Sequence, residues 1–186
     1  IFNTQASAVA DKNLIQDKFI NYTKRSDVEF TNGFNPSHTG GVSDLIESTV
    51  QAYLGGGLDY DLTKILQQVH LELSTRKVLL VGHSQGTFYT NAAYEYLIGH
   101  GVAADSIAVY NIATPANSVG GGGRYVTSSS DKLINFMVRS LTILGLAKKP
   151  LPANISIPLD DEQKEDKFGG HSLSAVYLKS VPDKIV

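Results

Sequence analysis

One eleven-residue stretch decides the fold class: Lys77-Val78-Leu79-Leu80-Val81-Gly82-His83-Ser84-Gln85-Gly86-Thr87. Residues 77–81 are nearly all apolar. A strand of that kind needs cover on both faces, as at the centre of a parallel sheet. A helix over 86–98 follows at once and ends at Gly99 and Gly101. Between strand and helix lies Gly-x-Ser-x-Gly. A serine at so sharp a turn is forced into strained backbone dihedrals, and side chains two residues to either side would collide with the bend. Glycine at Gly82 and Gly86 removes both Cβ atoms. The turn then lifts the Ser84 hydroxyl into solvent at the carboxyl end of the sheet. The amide of Gln85 faces the same spot, at a helix N-terminus, and can donate to a developing oxyanion. His83 points away from the serine and is expected to pack beneath the turn. The bland alternative is an ordinary glycine-rich βα turn.

Outward from this stretch, helical and extended patterns alternate. Ala6, Val9, Ala10, Leu14, Ile15, Phe19 and Ile20 recur at spacings of three and four, which predicts a helix over 5–23 with Thr4 as its N-cap. Residues 27–31 alternate polar and apolar as a short strand does, before Asn32-Gly33 and Asn35-Pro36 break it. Helices are expected over 44–54 and 61–74. Further buried strands are expected over 106–112 and 124–128, with a flexible glycine loop over 120–123 between them. Residues 133–147 are apolar on most faces and read as a helix, favoured as core packing over an acyl-binding wall or lid. Residues 159–167 form a charged loop, and 171–179 a final helix. Strands separated by helices predict an α/β fold with a mostly parallel sheet, in a single domain over residues 1–186.

Composition excludes several function classes. Of 186 residues, 42% are hydrophobic and 18% charged, which supports a packed core rather than a disordered chain. The net charge of −2 and basic clusters no longer than a pair such as Lys148-Lys149 argue against a nucleic-acid partner. With no cysteine there is no disulfide, thiolate metal site or cysteine nucleophile. No apolar run is long enough for a transmembrane segment. No metal or cofactor is called for. The chain opens on Ile1 rather than Met, so the true start is expected upstream or removed.

A serine hydroxyl is a poor nucleophile at neutral pH. It needs a base, and the base needs an orienting acid. Five histidines are available. His38 and His70 precede the serine, His83 sits within the turn, and His100 follows the helix at the wrong end of the sheet. His171 remains, in Phe168-Gly169-Gly170-His171-Ser172, where two glycines suit a loop that carries a ring over the serine. Asp105 precedes its strand and lies at the opposite edge. Asp131 follows strand 124–128 at the productive edge, with helix capping as its alternative role. The carboxylates of 160–166 read as solvated surface.

Val81 to Thr87, Asp131 after its strand and Gly170-His171 together resemble the serine hydrolases of the α/β-hydrolase superfamily, in the lipase/esterase style. The resemblance implies a three-layer sandwich with a reduced central sheet and esterase-type acyl transfer. It implies Ser84 as nucleophile in a nucleophile elbow, His171 as base and Asp131 as orienter. It also implies a second oxyanion donor from the loop after the third strand. Counting back from the elbow places that strand upstream of residue 1, so the donor is the amide of Ile1 or Phe2; the competing register uses Phe34. The implied partner is a small-molecule ester or lipid. Thioesterase or phospholipase activity on the same residues, and a non-catalytic binding module that keeps the scaffold, are the alternatives.

Overall fold

The computed structural model describes residues 5–32, 66–67, 69–165 and 168–185. Its described elements are mixed α/β. Helix α1 (Gln5–Thr23) is followed by strand β1 (Val78–His83), helix α2 (Gly86–Gly99), and strands β2 (Ile107–Ile112) and β3 (Arg124–Val126). Residues 133–138 wind as a wide π-type helix that runs into α3 (Arg139–Ile143). Helix α4 (Asp161–Glu165) is short, and the chain closes through π-wound residues 173–177, α5 (Leu178–Ser180) and α6 (Pro182–Ile185).

The three strands form a small parallel sheet in the order β1-β2-β3. Val78 pairs with Ile107 and His83 with Ile112, while Ile112 also pairs with Val126. One line of register thus sets His83, Ile112 and Val126 side by side at the carboxyl edge. The chain leaves all three strands there, so Ser84, Ala113 and Thr127 emerge at one edge.

Alternation along β2 sorts its side chains into two layers. Ile107 and Val109 pack with Leu80, Ala93 and Leu97 under α2. Ile112 packs on the other face with Val126, Ile157, Leu173, Val176, Tyr177 and Leu178, with Leu14 and Ile15 of α1 against that cluster. Ala8 of α1 is buried and Leu14 and Ile15 pack against the core, whereas Val9 and Ile20 stay exposed. None of the described helices is long and apolar enough to cross a membrane.

Several sequence expectations are corrected. Strand β1 is an edge strand among the described residues, with β2 at the centre. Leu79 is 59% exposed and Val81 40%, so one face of β1 is open. Residues 27–31 form no strand: an alternating pattern makes one only where a neighbour pairs with it, and here Asp27 and Glu29 bind Arg25 and Arg76 instead. The helix foreseen over 44–54 lies outside the described residues, as do 61–65 and 68 of the one foreseen over 61–74; 66–67 and 69–73 are helical.

The glycine tract is not a slack loop. It is a tight 3₁₀ turn, Gly120–Gly122, and a Cβ on Gly120 would lie 2.9 Å from Tyr94 Cβ. The amide of Gly120 donates to Asn91 Oδ1 at 2.9 Å, tying the turn to α2. Residues 133–147 divide: Leu133, Ile134 and Val138 are buried, but Phe136 is 73% and Ile143 85% exposed. Part of the charged 159–167 stretch is α4, closed by a reciprocal cap in which Gln163 N donates to Asp160 Oδ1 (2.9 Å) and Asp160 N to Gln163 Oε1 (3.2 Å).

Candidate active site

Ser84 stands between β1 and α2 with φ +56°. For a residue with a Cβ that left-handed backbone costs about 1–2 kcal/mol. Neighbours hold it in place. Ser84 N donates to Ile112 O at 3.0 Å, and the Thr87 hydroxyl donates to Ser84 O at 2.8 Å. Thr87 is fully buried and also accepts from the Thr114 hydroxyl at 3.0 Å, which fixes the bend to the loop after β2.

The two glycines of the turn are not equivalent. A Cβ on Gly82 would fall 2.8 Å from Thr90 Oγ1 and 2.9 Å from both Gly86 O and Thr87 Cα, so only glycine fits. A Cβ on Gly86 would meet nothing within 4 Å. The crowding expected at both positions therefore operates only on the strand side.

Asp131 follows β3 by way of Thr127-Ser128-Ser129-Ser130. This loop is pinned by its own serines. Ser128 Oγ accepts from Ile157 N at 3.0 Å, and Ser130 Oγ donates to Ile157 O at 2.6 Å. Asp131 is fully buried. Its Oδ1 accepts from Ile134 N at 3.1 Å, so the residue caps the following helix. The same oxygen lies 3.1 Å from His171 Nδ1, and Oδ2 lies 2.9 Å from it. Capping and ring-holding, which were alternatives in the sequence, occur together.

His171 is 4% exposed and arrives on a loop docked against the Asp131 loop. Lys132 N donates to Gly169 O at 3.1 Å. Gly170 has φ +85°, and a Cβ there would lie 2.5 Å from Ser130 O and 3.1 Å from Asp131 Cα. Glycine is thus required twice over, by dihedral and by contact. Ser172 Oγ then accepts from Ala175 N at 3.1 Å and starts the closing helix.

His171 Nε2 lies 2.7 Å from Ser84 Oγ. The partners fix the tautomer. A carboxylate only accepts, so Nδ1 carries the hydrogen and donates to Asp131. Nε2 is left with its lone pair and accepts from the serine hydroxyl. Ser84, His171 and Asp131 form one continuous hydrogen-bonded chain drawn from three loops.

Two further side chains complete the arrangement: Tyr177, which the sequence does not single out, and His83, for which it predicts only packing within the elbow. Tyr177 OH donates to Asp131 Oδ2 at 3.0 Å and accepts from Ser128 N at 2.9 Å. Burial, and then the charge of Asp131, pushes its phenol well above the ordinary value, so it remains a donor. The available signal was a lone tyrosine in the apolar stretch Leu173 to Leu178, whose hydroxyl must find a partner. His83 Nε2 lies 3.0 Å from His171 O, and the two rings are 5.1 Å apart. Burial, and then the neighbouring His171, lowers the His83 pKa to about 3. His83 does pack under the turn, but with a polar contact that packing alone does not predict.

The remaining candidates fall elsewhere. His70 is exposed, and His100 stacks on Tyr96 with its Nδ1 2.7 Å from Tyr96 O. Asp105 faces Lys77 at 3.9 Å at the opposite edge of the sheet. Gln85 immediately follows Ser84 and leads into α2. Ile1, Phe2, Phe34 and His38 lie outside the described residues. Among the described residues, no group of three or more His, Asp or Glu side chains is placed to hold a metal ion. No protein-family model matches the chain, and neither does any curated protein or solved structure.

Proposed function

We propose that the chain is a serine hydrolase of the α/β-hydrolase type that cleaves carboxylic esters, lipids included, through an acyl-serine. The single observation behind this reading is the 2.7 Å approach of His171 Nε2 to Ser84 Oγ, with Nδ1 held on buried Asp131. Such a chain activates a hydroxyl. It has no comparable value as a purely structural contact, since Ser84 is kept in left-handed backbone to make it.

In the proposed reaction Ser84 Oγ attacks the carbonyl carbon while its proton passes to His171 Nε2. The carbonyl electron pair moves onto oxygen. The Gln85 amide and one loop amide hold that oxyanion, each contributing about 3 kcal/mol of barrier lowering. The intermediate collapses with cleavage of the ester C–O bond, and the departing alkoxide takes the proton from Nε2. Water then gives its proton to Nε2 and adds to the acyl carbon. Collapse returns Ser84 Oγ, which recovers the proton, and releases the acid. Asp131 holds the ring in the required tautomer and balances the imidazolium in each half-reaction.

The test is labelling with a fluorophosphonate. Ser84 is modified in the wild type and Ser84→Ala takes up no label. Ester cleavage that persists in Ser84→Ala overturns the assignment. A folded wild-type protein wholly indifferent to the probe places the chain among binding modules. A panel of p-nitrophenyl esters, acyl thioesters and phospholipids then ranks the leaving groups.

A further inference from the structure

We propose that His83 is a positioning residue for the general base: its Nε2–H donates to the main-chain carbonyl of His171 and so sets where the catalytic ring stands over Ser84. The inference rests on the hydrolase reading and adds a residue to its machinery.

The donor assignment follows from the partner. A carbonyl oxygen only accepts, so the 3.0 Å contact between His83 Nε2 and His171 O requires the hydrogen on Nε2. The His171 ring meets Asp131 at Nδ1 and Ser84 at Nε2. Neither contact holds the residue's own main chain, from which the ring hangs. Fixing the carbonyl of the same residue supplies that hold, and His83 is one residue from Ser84, so donor and nucleophile share a single rigid bend. The bend is stiff for the reasons already given: Gly82 is crowded on three sides and Ser84 N is bonded to Ile112 O. The base is thereby referenced to the very turn that carries the hydroxyl it must reach.

Two adjacent imidazoles would compete for the proton that leaves Ser84 unless their surroundings differ. They do. Among the described residues, the titratable groups facing the His83 ring are the rings of His171 and Tyr177, at 5.1 and 6.5 Å. His171 has Asp131 at hydrogen-bond distance, whereas among the described residues His83 has a neutral carbonyl. A proton passing to His171 Nε2 places its charge beside a carboxylate; one passing to His83 would not. His83 therefore holds the base without taking its proton.

Two variants separate donation from packing. His83→Phe keeps a ring in place and deletes the N–H. His83→Gln carries a side-chain amide that reaches about as far as Nε2. His83→Phe is expected to slow fluorophosphonate labelling and to lower kcat by about 10-fold or more, with KM changed less than about twofold, in line with the cost of sub-ångström misplacement of a catalytic group. His83→Gln is expected to recover most of that loss. Equal impairment of both variants, or wild-type labelling by His83→Phe, overturns the inference while leaving the hydrolase reading intact. Failure of the wild type to label overturns the hydrolase reading instead. If His83→Phe does not fold, ¹⁵N NMR of wild-type imidazoles decides. The expected result is a neutral Nε2–H tautomer at His83 throughout pH 5 to 8. An Nδ1–H tautomer or a protonated ring in that range overturns the inference.

Discussion

Tyr177→Phe gives the sharpest account of how the site is held. The substitution keeps the ring in a fully buried position and removes one oxygen. That oxygen makes two contacts, donating to Asp131 Oδ2 at 3.0 Å and accepting from Ser128 N at 2.9 Å. A hydrogen bond to a charged acceptor contributes about 1.5–3 kcal/mol, and a buried amide left without its partner costs about 1–3 kcal/mol. The low ends apply, because the loop can relax around a deletion that creates no clash; together they come to about 2.5 kcal/mol. In a chain of 186 residues that lowers the Tm by about 5–10 °C. Thermal unfolding of both proteins at pH 7, followed by circular dichroism, measures the difference. The variant should also take up fluorophosphonate more slowly, since one donor no longer steadies the carboxylate behind His171. A Tm shift below about 2 °C would mean that the two contacts contribute under 1 kcal/mol, and the picture of Tyr177 as the tie between the Asp131 loop and the closing helix would fall.

The two elbow glycines should part company: Gly82→Ala drives a Cβ into backbone on two sides and unfolds the protein or lowers its Tm severely, whereas Gly86→Ala changes stability by under about 1 kcal/mol. Equal Tm losses would refute the asymmetry. Gly170→Ala, which combines φ +85° with a contact at 2.5 Å, should abolish labelling of Ser84 by moving the His171 loop off Asp131. Wild-type labelling by that variant would show the loop to be adjustable. Acid should weaken the fold through His83. Its folded pKa of about 3 lies below the unfolded value of about 6.5, so its contribution is present above pH 6.5 and is lost as pH falls toward 3. Urea titrations at pH 7, 5 and 4 should show a shallower decline for His83→Gln than for the wild type; parallel declines would refute it.

The elements around the serine were legible because short-range rules converge there. An apolar run, a glycine that cannot be replaced and a helix start all bear on residues 77–87, and none needs knowledge of a distant partner. Asp131 could be singled out by the strand edge it follows and His171 by elimination among five histidines, and the structure joins both to Ser84 in one hydrogen-bonded chain. What stayed hidden depends on contacts far apart in sequence. Gly86 and Gly82 look alike in the motif, and only their surroundings in the fold show that one is crowded and the other is not. Nothing local marks Tyr177 as the donor to a carboxylate 46 residues away. The alternation of 27–31 met no pairing strand, and the glycines of 120–123, read as slack, are held by Tyr94 and Asn91. A pattern states what a segment is suited to; the partner decides what it becomes.

Asp131 Oδ1 is shared between the amide of Ile134 and the ring of His171. One atom therefore serves as both the first peg of a helix and the back-stop of an imidazole. Warming that frays the opening turn of residues 133–138 withdraws the back-stop in the same motion. Loss of the proposed hydrolytic competence and melting of that turn become a single event, and a graft that moved Ser84, His171 and Asp131 to another scaffold without this helix would loosen the hold on the imidazole.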